Sequence, residues 1–94
     1  MHPHQCELIK LKNLGAASVN ILNSIGIRTY ADLQRIGAVD AYLTVRNRGI
    51  NASRVLLYAL QGALLDVHWN QLEPDLKAQL VADVERGERS QQSA

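Results

Sequence analysis

There is no phenylalanine in this chain of 94 residues, and it holds one cysteine, one tryptophan and three tyrosines. The single thiol, Cys6, cannot close an internal disulfide, so a disulfide-stapled secreted framework is excluded and a reducing cytoplasm is the expected location. No apolar run approaches the roughly 18 residues of a spanning helix, and none follows a charged start as in a signal peptide, so no membrane partner is expected. Strand-like alternation is missing too. With aromatics at 4%, the core must come from Leu, Ile, Val and Ala, a composition that favours packed helices over a sheet. Charge of one sign is equally scarce. The net charge of +1 gives no reason to expect strong attraction to nucleic acid.

The chemistry of catalysis is also thin. There is no activated Ser or Cys motif, no carboxylate pair in an expected cleft, no phosphate-binding loop and no zinc spacing, so the chain reads as a binding module, not an enzyme, with no cofactor. His2, His4 and Cys6 are potential metal ligands, but they stand near the N-terminus with no further His or Cys cluster, and no metal is assigned.

What the chain has is apolar content, 47%, enough for one domain near the small end of what folds unaided. It also has regularly placed glycine. Gly15, Gly26 and Gly37 punctuate the stretch from Leu11 to Tyr42 and bound short amphipathic segments. Residues 1–8 read as a loose lead-in, 9–86 as the folded unit and 87–94 as a frayed tail. The first helix is expected from about Ala16 to Ser24, started by Asn13 or Gly15 and ended by Gly26. Thr29 followed by Asp32 is a short-acid capping box that starts a helix from Tyr30 to Ile36, closed by Gly37. A third helix spans about Ala38 to Asn47 and stops at Gly49. Asn51 or Ser53 caps a fourth, about Ala52 to Leu65, with Leu56, Leu57, Leu60 and Leu64 on its buried face. Gly62, between Ala59 and Ala63, reads as a place where another backbone approaches closely. Pro74 and Asp75 start a fifth helix to about Arg86, with Leu76, Leu80, Val81 and Val84 inward. The expected architecture is all-α: five short helices in a compact bundle.

Three groups of residues are candidates for function. The turns Asn13–Ala17 and Ile25–Thr29 flank one helix and place backbone amides where they can hold a phosphate without reading sequence; Lys12, Gly15, Ala16, Gly26, Arg28 and Thr29 form this nucleic-acid-binding set. The alternative is that the same glycines only end helices, with Leu14 and Ile27 as staples. A functional hairpin shows Gly-x-Gly, and each turn has half of that pattern. Arg46, Arg48 and Arg54 form the densest basic cluster, suited to an anion or an acidic partner, or else merely a solvated loop. They belong to the basic half: residues 1–50 carry a net +3 and residues 51–94 a net −2. His68 and Trp69 read as a loop hydrogen-bonding group and a core anchor whose indole N–H finds a carbonyl, with a partner-facing patch as the other option. Tyr30, Tyr42 and Tyr58 read as core or rim residues.

The run LKNLGAASVNILNSIGIRTYADLQRIGAVDAY, followed by LLYALQGALLDVHWNQL, resembles the C-terminal domain of the TfoX/Sxy family of competence regulators. The likeness extends over about Ile9 to Arg86, and its most specific pieces are Asn13-Leu14-Gly15, Gly26-Ile27-Arg28-Thr29, Gly37-Ala38, Leu60-x-Gly62-Ala63 and His68-Trp69. The resemblance implies a helix-hairpin-helix-like, SAM-like domain of bacterial proteins that promote expression of DNA-uptake genes by assisting a cAMP-receptor-type activator. The first part is also similar to the C-terminal domain of the RNA polymerase α subunit. The implied partners are that activator or RNA polymerase, with weak DNA contact, and a homodimer is an open option; purely protein-binding use is the alternative. TfoX-type regulators commonly carry an N-terminal domain before this one, so the chain reads as either a stand-alone version or a fragment.

Overall fold

The computed structural model describes residues 11–93, with side chains through residue 89. The glycine-bounded segments become α1 (Ala16–Ser24), α2 (Tyr30–Ile36), α3 (Ala38–Asn47), α4 (Arg54–Leu65) and α5 (Pro74–Ser93), with a 3₁₀ turn at Trp69–Gln71 between the last two. Among the described residues there is no strand, and the five-helix, all-α expectation holds. No helix among them is long and apolar enough to cross a membrane. The lead-in 1–8 is outside the described residues, and with it His2, His4 and Cys6.

Three of the helices end alike. Ile27 N–H donates to the Leu22 carbonyl (2.9 Å) and Gly26 N–H to Asn23 (3.1 Å); Ile50 and Gly49 do the same to Val45 and Arg46, and Val67 and Asp66 to Gly62 and Ala63. These are Schellman closures, each with a β-branched apolar residue as its outer donor, and Ile27 and Ile50 pack against the core. Ile27 is fully buried there. The junction of α2 and α3 is different, because Gly37 alone ends one helix and starts the next. Its φ of 86° and ψ of 160° lie in a region that side-chain-bearing residues hardly enter, so no other residue fits without strain.

The centre of the fold is α4. Leu57 and Leu60 are fully buried with Leu22 of α1, Leu33 of α2, and Tyr42 and Val45 of α3, while Leu80 and Val84 of α5 close the other side. Leu56, Leu64, Leu76 and Val81, also expected inward, are half-buried at the edge of this cluster. Tyr30 ties α2 to α4 through its hydroxyl, which donates to the Leu64 carbonyl at 2.8 Å.

Two helix boundaries differ from expectation. Instead of starting at Ala52, α4 starts at Arg54, because the Ala52 carbonyl accepts the buried Tyr42 hydroxyl (3.0 Å) and Ala52 is drawn into the core ahead of the helix. Ser53 occupies the N-cap position, but its side chain makes no cap bond, and neither does that of exposed Asn51. The fifth helix continues past Arg86 to Ser93, across the expected tail. Gly87 sits so close to α3 that an added Cβ would stand 2.6 Å from Leu43 Cδ1, and Glu88 Oε2 meets Arg46 Nε at 3.1 Å. Those tertiary contacts hold helix where apolar periodicity has run out.

Candidate binding surface

The two glycine turns that flank α1 are built in opposite ways. In the first, Asn13 takes φ of 72°, a left-handed conformation that asparagine tolerates better than most residues. Its amide reaches across the molecule. Asn13 Nδ2 donates to the Val67 carbonyl (2.9 Å) and more weakly to Ala59 (3.5 Å), and its Oδ1 accepts the Trp69 backbone N–H (3.0 Å). Gly62 makes room for this, since a Cβ there would lie 2.5 Å from Asn13 Nδ2 and 2.7 Å from the Val67 oxygen. The close approach expected at Gly62 is therefore present. With the Asn13 side chain turned away, Gly15 becomes the N-cap of α1 without a side-chain cap, and the first backbone bond of the helix runs from Val19 N–H to the Gly15 carbonyl at 3.0 Å. Among the described residues the amides of Ala16, Ala17 and Ser18 find no acceptor.

The second turn is closed on itself. Gly26 and Ile27 spend their amides on the end of α1, and Arg28 N–H donates to Asp32 Oδ2 at 3.2 Å. Thr29 Oγ1 accepts from Asp32 N–H at 3.0 Å, so the expected short-acid capping box is formed. The Arg28 backbone amide foremost, helped by the Thr29 hydroxyl and Arg35, holds the Asp32 carboxyl below its ordinary range. The Asp32 carboxylate thus takes the Arg28 amide that a phosphate at this turn would need.

The basic residues are dispersed as well. Lys12 is exposed, 4.0 Å from Asp66 Oδ1, a solvent-screened pairing that contributes little to stability. The Arg46 guanidinium donates to the Tyr42 hydroxyl (3.2 Å), stands over that ring and pairs with Glu88. The Tyr42 oxygen first, and then Glu88, hold its charge more firmly than in free arginine. Arg48 turns to the C-terminal end of α1 and donates to the Ser24 carbonyl at 3.4 Å. Only Arg54, exposed in the first turn of α4, is left near the position the sequence suggested. The three arginines do not converge.

Trp69 departs from the expected core anchor: it is half-buried on the 3₁₀ turn, stacked between Tyr58 (centroids 6.3 Å) and His68 (6.1 Å). Lys77 of α5 lies 5.4 Å above it. His68 does have the local hydrogen-bonding role expected, through Nδ1 to Asn70. Asn13 holds the Trp69 backbone amide, and Gly62 lies against the Trp69 Cα, where an added Cβ would stand 3.3 Å away.

One open cleft, of about 300 Å³, lies between α1 and the start of α4. Its apolar lining comes from Ala17 and Ile21 on one side and Ala52, Val55, Leu56 and Ala59 on the other, with Asn13, Ser18, Asn51 and Ser53 at its polar edges. Val55 is 47% exposed. Sequence reasoning missed this cleft; Ala17, Ala52 and Ala59, the small residues in its lining, are 35 and more positions apart across the two walls. The available sign was the spacing of Ala17 and Ile21 at i, i+4 on α1 and of Val55 and Leu56 to Ala59 at i, i+4 and i, i+3 on α4.

A family model described as "TfoX C-terminal domain" matches residues 4–84. Among solved structures, the tetragonal crystal form of a protein of unknown function from Listeria monocytogenes is 28% identical with a TM-score of 0.78, covering 84% of this chain and 98% of that one. The triclinic form of an uncharacterized protein from the same organism is 30% identical with a TM-score of 0.74, covering 78% and 83%. No curated protein matches the sequence.

Proposed function

This chain belongs to the TfoX C-terminal domain family, and from that premise we propose that it is a regulatory binding module for transcriptional activation of DNA-uptake genes, acting by contact with a protein. The partner class is a cAMP-receptor-type activator or RNA polymerase. One observation favours protein over DNA. At the Gly26 turn each amide from Gly26 to Arg28 is already committed, the last of them to the Asp32 carboxylate. Arg46 and Arg48 are tied to Glu88 and Ser24, so they add no phosphate grip at the neighbouring loop. The chain acts in this reading as a binding surface, without catalysis and inside the cell.

A weak DNA contact has support only at the first turn, where the amides of Ala16 to Ser18 are open and Lys12 is nearby. Two or three phosphates held there would give an affinity that falls with salt at a slope of about −2 to −3. The test is a nuclear magnetic resonance titration of the labelled chain with duplex DNA at low salt, and separately with a purified cAMP-receptor-type activator and with RNA polymerase α subunit. The expected result is binding of a protein partner that persists at about 0.2 M salt, with any DNA response confined to residues 15–18. Saturable DNA shifts centred on Gly26 to Thr29, with no response to either protein, would overturn the proposal.

A further inference from the structure

Three features of the cleft between α1 and α4 bear on what could fill it. Its lining is mainly apolar, its volume of about 300 Å³ has room for one or two aliphatic side chains, and Val55 stands exposed in it. No acidic side chain lines it. It is also flanked by the starts of α1 and α4, the two helices with neither an acid in the first turn nor a side-chain cap, whereas α2, α3 and α5 carry Asp32, Asp40 and Asp75 there. Arg54, exposed in the first turn of α4, lies in sequence between the lining residues Ser53 and Val55. The positive ends of two helix dipoles therefore flank an apolar slot that has no carboxylate in its lining, and a basic residue stands between two of its lining positions in sequence.

We infer that this cleft docks an acidic amphipathic peptide segment of the partner protein, with aliphatic side chains in the slot and flanking Asp or Glu carboxylates against the starts of α1 and α4. The inference rests on the protein-binding reading above and names where and what that protein presents. A basic segment is disfavoured, because it would set like charge against Arg54 and both helix starts. A segment lacking acids would leave the open amides covered and unpaired, which is costly on burial.

The probe is a synthetic 12-residue peptide of alternating Glu and Leu pairs, titrated into the intact labelled chain, with a Lys-for-Glu peptide, inorganic phosphate and duplex DNA as parallel arms. The acidic peptide should shift the amides of Ala16, Ala17, Ser18, Arg54 and Val55 saturably. The Lys peptide should not. Ala17→Leu, an exposed change that fills the slot, should weaken the acidic peptide at least tenfold while leaving the amide spectrum of α2, α3 and α5 unchanged. Equal response to the Lys peptide, absence of any response to the acidic one, saturation by phosphate or DNA alone, or concentration-dependent shifts of the free chain that betray a second copy would each overturn the inference. Binding of the activator or polymerase that survives Ala17→Leu would remove this cleft and leave the protein-binding reading standing; loss of all protein binding in the unaltered chain would remove that reading itself.

Discussion

The turn before α1 and the turn after it share a glycine and a place in the same helical hairpin, yet one is secured from a distance and the other from within. Asn13 is bonded to residues 46 to 56 positions away, whereas the partners of Gly26, Ile27, Arg28 and Thr29 lie within five. The distant tie uses the Asn13 side chain, and α1 has no side-chain cap, so that amides in its first turn stay open. The local tie uses up everything the turn has. A backbone turn is thus available to a ligand only when something else in the fold supports it.

The largest effect should come from breaking the distant tie. Asn13→Ala removes the bonds to Val67 and Trp69 and places alanine at positive φ, and it should cost about 3 kcal/mol in urea unfolding. Asn13→Gly keeps the backbone conformation while losing the bonds, so it should cost less, and the difference isolates the φ contribution. Gly62→Ala follows, at about 2 kcal/mol, because the added methyl meets Asn13 and the Val67 carbonyl and the gain in helix propensity offsets only part of that overlap. It should also broaden the Trp69 amide resonance, which a purely local change would leave alone.

In the second turn the effects should be smaller and confined. Thr29→Ala deletes one cap bond and should cost about 1 kcal/mol, with chemical-shift changes limited to residues 26–36. Asp32 gives a pH signature. Since its folded pKa lies below the ordinary value of 3.8, its stabilisation is present above that pH and fades as pH falls through the lower, folded value. An acid titration of stability should therefore flatten in Asp32→Asn, with no change near neutral pH attributable to the titration. The same variant sharpens the contrast between the turns: removing the carboxylate's charge should let inorganic phosphate perturb the Arg28 and Thr29 amides, which it should not do in the unaltered chain.

Local closure is also what made half of this molecule legible in its sequence. Thr29 with Asp32, Gly26, Gly37, and Pro74 with Asp75 act on residues a few positions away, and the helices they bound are where they were expected. Reading failed where a remote partner decides. Tyr42 pulls Ala52 out of α4, Leu43 and Arg46 extend α5 past Arg86, and Asn13 holds the backbone of Trp69, which stays half-buried. The candidate site divides likewise: the glycines of both turns were found, but Asp32 on the Arg28 amide shows only as a helix cap in sequence. The α1–α4 cleft needed α1 and α4 brought side by side. The convergence suggested for Arg46, Arg48 and Arg54 assumed that neighbours in sequence point together, and two of them were recruited by α5 and α1.

The Asn13–Trp69 bond joins ends of a chain segment more than fifty residues long, so its formation bears a loop-closure entropy that the Thr29–Asp32 bond does not. In folding time, the second turn belongs to the early, local events and the first turn to the last ones, once α4 is in place. In the native ensemble the order reverses: the segment before α1 should open by sub-global fluctuation without unfolding α2 and α3. Hydrogen exchange at the Trp69 amide is the clock for that opening, and it should run faster than exchange at the core amides of Leu57 and Leu60.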